Sequence, residues 1–277
     1  MDKVWLITGC STGFGRELAK EALKKGYKVG VAARKIDDIR DIVSDYPDTA
    51  IPITLDVTKH TDIKEAIKQI TEIFGRVDVL VNNAGVGYFG SAEESDDSET
   101  RRMFDINFFG LADMTKAVLP IMRKQRSGHI INIASIGGLM AFPALSYYNA
   151  TKFAVDGFSE SLAKELGPLG IKVTIIAPSG FRTDWAGRSA NDAPSEIEDY
   201  KTTATANKES IRGYSGNQPG DPVRAAQAII KTVESETPPL RLLLGVAALK
   251  NARVKLEELS RDFDAWEETT TGADFPK

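Results

Sequence analysis

The chain is poor in the residues that build several kinds of site. It has one cysteine, Cys10, in 277 residues, so neither an internal disulfide framework nor a cysteine-based zinc centre can be assembled. Its two histidines, His60 and His129, leave little for a multi-histidine metal site, and no metal is expected. Charge of one sign is never concentrated: 35 Lys and Arg stand against 39 Asp and Glu, a net of −4. Nucleic acids and anionic membranes demand a concentrated basic face, so neither is an expected partner. The longest apolar stretch near the C-terminus, Leu242–Leu249, falls far short of the ~20 residues of a membrane span. Residues 1–10 carry Asp2 and no basic lead-in, so no signal peptide is expected. The expectation is a soluble, reduced, cytoplasmic chain.

What is present is apolar material in a regular rhythm. Hydrophobic residues make up 42%, enough for one large core. Short β-branched runs alternate with longer helical patterns, which predicts an α/β fold: a single doubly wound parallel sheet of about seven strands with helices on both faces. The strands are expected at Val4–Thr8, Lys28–Ala33, Ile51–Leu55, Val77–Val81, His129–Ala134, Lys172–Ala177 and Arg241–Gly245. Near-continuous apolarity, as in Val77-Asp78-Val79-Leu80-Val81, suits strands buried on both faces. Asp221-Pro222 predicts a capped helix start. Residues 179–220 break the rhythm with Gly187, Pro194, Gly213, Gly216 and Pro219, and read as a long loop or lid over a binding site. Residues 246–277 read as a C-terminal helix to Arg261 and a tail, irregular at Thr269–Gly272. No domain boundary is visible, so 1–277 is read as one domain.

Chemistry enters after the first strand. Gly9, Gly13 and Gly15 in Thr8-Gly9-Cys10-Ser11-Thr12-Gly13-Phe14-Gly15 supply a sharp turn, and the helix that follows presents free N–H groups to a pyrophosphate. The second strand ends Ala33-Arg34-Lys35, where an acid would accept the 2′-hydroxyl of NAD and a cation the 2′-phosphate of NADP. NADP is therefore the expected cofactor. Asp56, ahead of Val57, is placed to accept from the adenine amino group or to cap the next helix. Cys10 reads as a small packed side chain. Tyr148 and Lys152 are four residues apart, one helical turn, and share a face; Tyr147 lacks such a partner. On its own that spacing is also what a surface pair would show.

With Asn82-Asn83-Ala84-Gly85 after the fourth strand, Asn107 in Asn-Phe-Phe-Gly, and Ser135 thirteen residues before Tyr148, the chain resembles the short-chain dehydrogenase/reductase family from Val4 to about Gly245. The resemblance implies an oxidoreductase interconverting a ketone or aldehyde and an alcohol. It assigns Ser135 to the substrate oxygen, Tyr148 to proton exchange, Lys152 to the nicotinamide ribose and Asn107 to a proton-relay water. Gly9, Ser11, Gly13, Phe14, Gly15, Arg34, Asp56, Val57, Asn83, Ala84, Gly85, Pro178, Gly180, Phe181 and Thr183, together with Tyr148 and Lys152, are implied to bind the cofactor. Ser179 departs from the pattern, which has glycine there. Gly-Phe-Arg-Thr-Asp-Trp and the chain beyond the last strand look most like retinol and hydroxysteroid dehydrogenases, implying a hydrophobic substrate against Leu139, Phe142, Tyr147 and Trp185. Association through residues 99–124 and 146–166 into a homodimer or homotetramer is implied as well. Two other readings stay open: a non-catalytic NADP-binding sensor, and an epimerase or dehydratase on the same fold.

Overall fold

The structure, a computed structural model, describes residues 3–275. Seven parallel strands form the central sheet: β1 (Val4–Ile7), β2 (Lys28–Ala33), β3 (Ala50–Thr54), β4 (Val79–Asn82), β6 (Gly128–Ile133), β7 (Ile171–Pro178) and β9 (Arg241–Leu244). Their order is β3-β2-β1-β4-β6-β7-β9, so the winding reverses between β1 and β4. A parallel sheet opens a crevice at the carboxyl ends of the strands where its winding reverses. The loops after β1 and β4 both meet there.

Each face is closed by amphipathic helices. α1 (Gly13–Lys24), α2 (Arg40–Asp45) and α8 (Pro222–Glu234) cover one face, where Leu18, Ala22, Ile42, Ile229 and Ile230 pack on Trp5, Ile7, Val29 and Val31. α3 (His60–Phe74), α5 (Gly110–Gln125) and α6 (Ser146–Leu166) cover the other through Ile63, Ile70, Met114, Val118 and Leu162. Such buried aliphatic side chains contribute about 1.5–3 kcal/mol each. α8 starts as its sequence predicts, with Asp221 accepting from Val223 and Arg224 N–H and Pro222 at the first position. α4 (Asp97–Phe104) runs into α5 through one π-helical turn, Asp105–Phe109. Among the described residues no helix is long and apolar enough to cross a membrane.

Two expectations are corrected. Residues 179–220 are not structureless: they contain 3-10 turns, β8 (Ala190–Asp192) and α7 (Ala206–Gly213), and β8 pairs in parallel with β5 (Gly87–Phe89). The C-terminal helix α9 (Val246–Ala265) continues beyond Arg261, and α10 (Glu267–Thr271) occupies part of the tail read as irregular. Glu267 and Glu268 favour a helix start, and the Thr271 hydroxyl donates to the Glu267 carbonyl at 2.9 Å.

His129 on β6 gives the fold an acid limit. Its Nε2 lies 2.9 Å from Thr174 Oγ1, whose hydroxyl donates to the Pro239 carbonyl. Nε2 therefore carries the proton, and buried Nδ1 has no partner among the described residues. Burial pushes the imidazole down to about 3, with the positive charges of Lys172 and Lys3 adding to the effect. The unfolded chain binds this proton below about pH 6.5 and the native one does not. The stability it carries is complete above that pH and lost progressively toward pH 3. Urea titrations at pH 7 and pH 4.5 should differ by about 2.5 kcal/mol from this residue. His129→Gln should remove that part of the slope.

Candidate active site

The glycine loop is braced from beneath. Thr8 Oγ1 accepts from the N–H groups of Asn83 and Ala84 at 2.9 and 3.0 Å, and Asn83 Nδ2 donates to the carbonyls of Thr8 and Gly9 at 2.8 and 3.0 Å. The Asn-Asn-Ala-Gly segment thus fixes the turn after β1. Gly9 and Gly13 take φ of +71° and +59°, which side chains disfavour. Gly15 faces inward, and a Cβ there would lie 2.4 Å from both the Gly9 carbonyl oxygen and Asn83 Nδ2. Cys10 is buried behind the loop, donating to the Ile7 carbonyl at 3.1 Å. Burial pushes its thiol up to about 12, so it is inert.

The loop opens into a cavity of about 1140 Å³, above the range of a pocket for one drug-sized ligand. Gly9, Ser11, Gly13 and Phe14 line one end with Arg34, Asp56, Val57, Asn83, Ala84 and Gly85. Ser135, Tyr148, Lys152, Pro178, Gly180, Phe181 and Thr183 line the middle. Of the residues singled out in the sequence, Gly15 and Asn107 stand behind the wall. Asp56 accepts from the N–H and hydroxyl of Thr58 at 3.0 and 2.7 Å, which leaves its cap role unfilled as α3 begins at His60. Arg34 is exposed at the cavity rim and forms no ion pair among the described residues.

α6 carries Tyr148 and Lys152 on its inner face, 7% and 6% exposed. Lys152 Nζ donates to the Ile133 carbonyl at 2.8 Å and lies 5.7 Å from the Tyr148 ring centroid. Burial lowers Lys152 to about 8, leaving it mainly charged at neutral pH. Burial drives the Tyr148 phenol well above the ordinary tyrosine value, and a hydrogen bond with Ser135 opposes this. Ser135 Oγ also accepts from Gly137 N–H at 3.0 Å. Asn107 sits in the π turn, its amide exchanging bonds of 2.8 and 2.9 Å with the Val86 backbone and donating to Thr151 Oγ1 at 3.2 Å. Single π turns recur at functional sites because they leave backbone groups unpaired by the helix. Asn149, within a glycosylation-like triplet, is buried with Nδ2 on the Phe142 carbonyl.

Residues 179–220 close the remaining side. Phe181 meets Phe14 edge-on at 5.0 Å, and Trp185 packs 4.9 Å from the Tyr148 ring and 5.2 Å from Phe89. Trp185 and Phe142 line the cavity, whereas Leu139 and Tyr147 are outside its lining and pack in clusters with Phe142. Arg212 is the residue the sequence did not disclose. It donates to the carbonyls of Ala186, Gly187 and Ala190, pairs with Asp192 and lies 4.7 Å over the Phe89 ring. Its only sequence signal is one of several cations in a polar stretch. Ser179, standing in the usual glycine slot, donates to the Leu244 carbonyl at 3.3 Å. Gly245 makes room for it, since a Cβ there would lie 2.4 Å from Ser179 Oγ.

Known proteins are similar to this chain in sequence and fold. A family model described as short chain dehydrogenase matches residues 3–194. Oxidoreductase BOA17 of Botryotinia fuckeliana is 40% identical over 269 residues, covering 97% of this chain and 98% of that protein. A 3-ketodihydrosphingosine reductase of Bacteroides thetaiotaomicron is 38% identical over 248 residues, 88% of each. A short-chain dehydrogenase structure from Streptomyces avermitilis superposes with a TM-score of 0.93 at 40% identity, covering 99% of this chain and 98% of that one.

Proposed function

Since this chain belongs to the short-chain dehydrogenase/reductase family of oxidoreductases, we propose that it reduces a hydrophobic ketone or aldehyde to the alcohol with NADPH, Tyr148 giving the proton. The observation that carries the reading is convergence. The glycine loop and the Ser135, Tyr148 and Lys152 side chains all border one cavity. The loop fits a dinucleotide, because its positive-φ glycines and the close approach at Gly15 leave backbone N–H groups bare at the start of α1. When bound, the nicotinamide supplies the hydride that reaches the carbonyl carbon.

The chain's own residues handle the rest. Ser135 holds the substrate oxygen with its hydroxyl, and Tyr148 donates the phenolic proton to that same oxygen. A phenol kept neutral by burial is in the form that donates, which suits reduction. The Lys152 ammonium beside the ring stabilises the phenolate left behind, and its remaining N–H bonds hold the nicotinamide ribose. Asn107 bends the helix so that a backbone carbonyl can hold a water relaying protons to Lys152. Thr183, Pro178, Gly180 and Phe181 enclose the nicotinamide end, Asp56 and Val57 the adenine end. Residues 179–220 serve as the lid of a single domain, and Phe142 and Trp185 give the substrate wall its apolar surface. The name of the Bacteroides thetaiotaomicron relative, which acts on a long-chain ketone, agrees with such a substrate. Exposed Phe109, at the end of the π turn before α5, and Phe153 on α6 mark one face for self-association.

The test is consumption of NADPH and NADH, side by side, with ketones and aldehydes from small aromatics to long-chain and polycyclic compounds. Turnover favouring NADPH supports the reading; binding without consumption of either cofactor overturns it. Arg34 supplies the 2′-phosphate contact, a charge-assisted bond worth about 1.5–3 kcal/mol. Arg34→Asp should therefore lower the NADPH-over-NADH preference by at least about tenfold. An unchanged ratio would remove Arg34 from that contact.

A further inference from the structure

The C-terminal helix leaves the body of the molecule with an apolar stripe uncovered. Leu249, Ala252, Leu256, Leu259, Phe263 and Trp266 follow one another at alternating spacings of three and four residues, the seam of a two-stranded coiled coil. The root of the stripe is seated: Ala248 and Ala252 are buried beside Ile136, Leu139, Phe142 and Leu243. Beyond it, Leu256 and Phe263 are each 67% exposed and Trp266 65%. We propose that α9 is a self-association seam that pairs antiparallel with α9 of a second copy of this chain.

The flanking charges choose this occupant. Arg253 and Lys255 flank the first half of the seam, and Asp262 and Glu267 the second. Lys255 already lies 3.6 Å from Glu258 on its own helix, both side chains about one-third exposed, so its ammonium is still open to a neighbour. An antiparallel partner sets the basic half of each helix against the acidic half of the other. A parallel partner would leave the Lys255 and Asp262 of α9 without an opposite charge across the seam. A lipid surface is the poorer occupant, because the outer side of the helix carries Glu257, Glu258 and Asp264 against Lys250 and Arg261, and membrane-bound helices favour cations there. The same helix also reaches the cavity, since Ala247 and Asn251 at the root of α9 line it.

Sedimentation equilibrium of the full chain tests the proposal. Leu256→Glu with Phe263→Glu should halve the molar mass of the wild-type assembly, with the far-ultraviolet circular dichroism spectrum unchanged because both side chains are exposed on the single chain. A monomeric wild type, or a variant of unchanged mass, overturns it. Arg253→Glu with Lys255→Glu should weaken association by about tenfold, and adding Asp262→Lys with Glu267→Lys should restore it. Failure of that rescue overturns the antiparallel arrangement. Sedimentation of monomeric chain with phosphatidylglycerol vesicles, lost in Leu256→Glu with Phe263→Glu, would overturn self-pairing in favour of a lipid surface.

Discussion

Tyr148→Phe is expected to lower kcat/KM by about a thousandfold while leaving the Kd for NADPH within about twofold. General acid catalysis by a placed side chain is worth about 10²–10⁴ in rate, and the substitution removes the donor without reshaping its surroundings. The phenylalanine ring keeps the packing against Trp185 at 4.9 Å and the approach of the Lys152 ammonium at 5.7 Å. What disappears is the hydroxyl and its bond to Ser135. The loss should appear in kcat rather than KM, since the proton moves only as the carbonyl is reduced. Steady-state rates beside a fluorescence titration of NADPH measure both quantities. Activity within tenfold of wild type would end the assignment of Tyr148 as donor.

Gly15→Ala is expected to weaken NADPH binding by about a hundredfold without unfolding the chain. Its Cβ would lie 2.4 Å from the Gly9 carbonyl oxygen and from Asn83 Nδ2, and those two atoms are themselves hydrogen-bonded at 3.0 Å. Neither is the free end of a flexible side chain, so relief must come from displacement of the loop. Overpacking of this kind costs about 1–3 kcal/mol. At its upper end that cost is a hundredfold in affinity. Gly157→Ala, where a Cβ meets nothing within 4 Å, is the control and should leave binding unchanged. Calorimetric titration and a thermal melt separate lost affinity from lost fold.

The sheet was legible in the sequence for a simple reason. Its strands are largely apolar runs, because parallel strands are buried on both faces, and α8 carries its cap locally in Asp221 and Pro222. The grouping of Ser135, Tyr148 and Lys152 was legible through the family resemblance, while spacing alone placed only Tyr148 and Lys152 together, on one helical turn. Residues 179–220 were not legible, since their order comes from elsewhere in the chain. β8 has three residues and pairs with β5, about a hundred positions away, while Arg212 satisfies carbonyls that no local pattern predicts would be free. The bracing role of Asn83 was hidden likewise. It depends on Thr8, whose hydroxyl joins two loops through contacts of long sequence separation.

The contact between Trp185 and Tyr148 has an optical consequence. The chain has three tryptophans: Trp5 is fully enclosed in the core, Trp266 is 65% exposed, and Trp185 lines the cavity. Three indoles in three polarities emit at three wavelengths, a blue-shifted one from the core, a red-shifted one from the surface and an intermediate one from the cavity wall. A reduced nicotinamide absorbs where tryptophan emits, so a bound one quenches the indole nearest it by energy transfer. Trp185 thereby gives this protein a built-in reporter of ligand arrival, readable without labels and before any chemistry occurs.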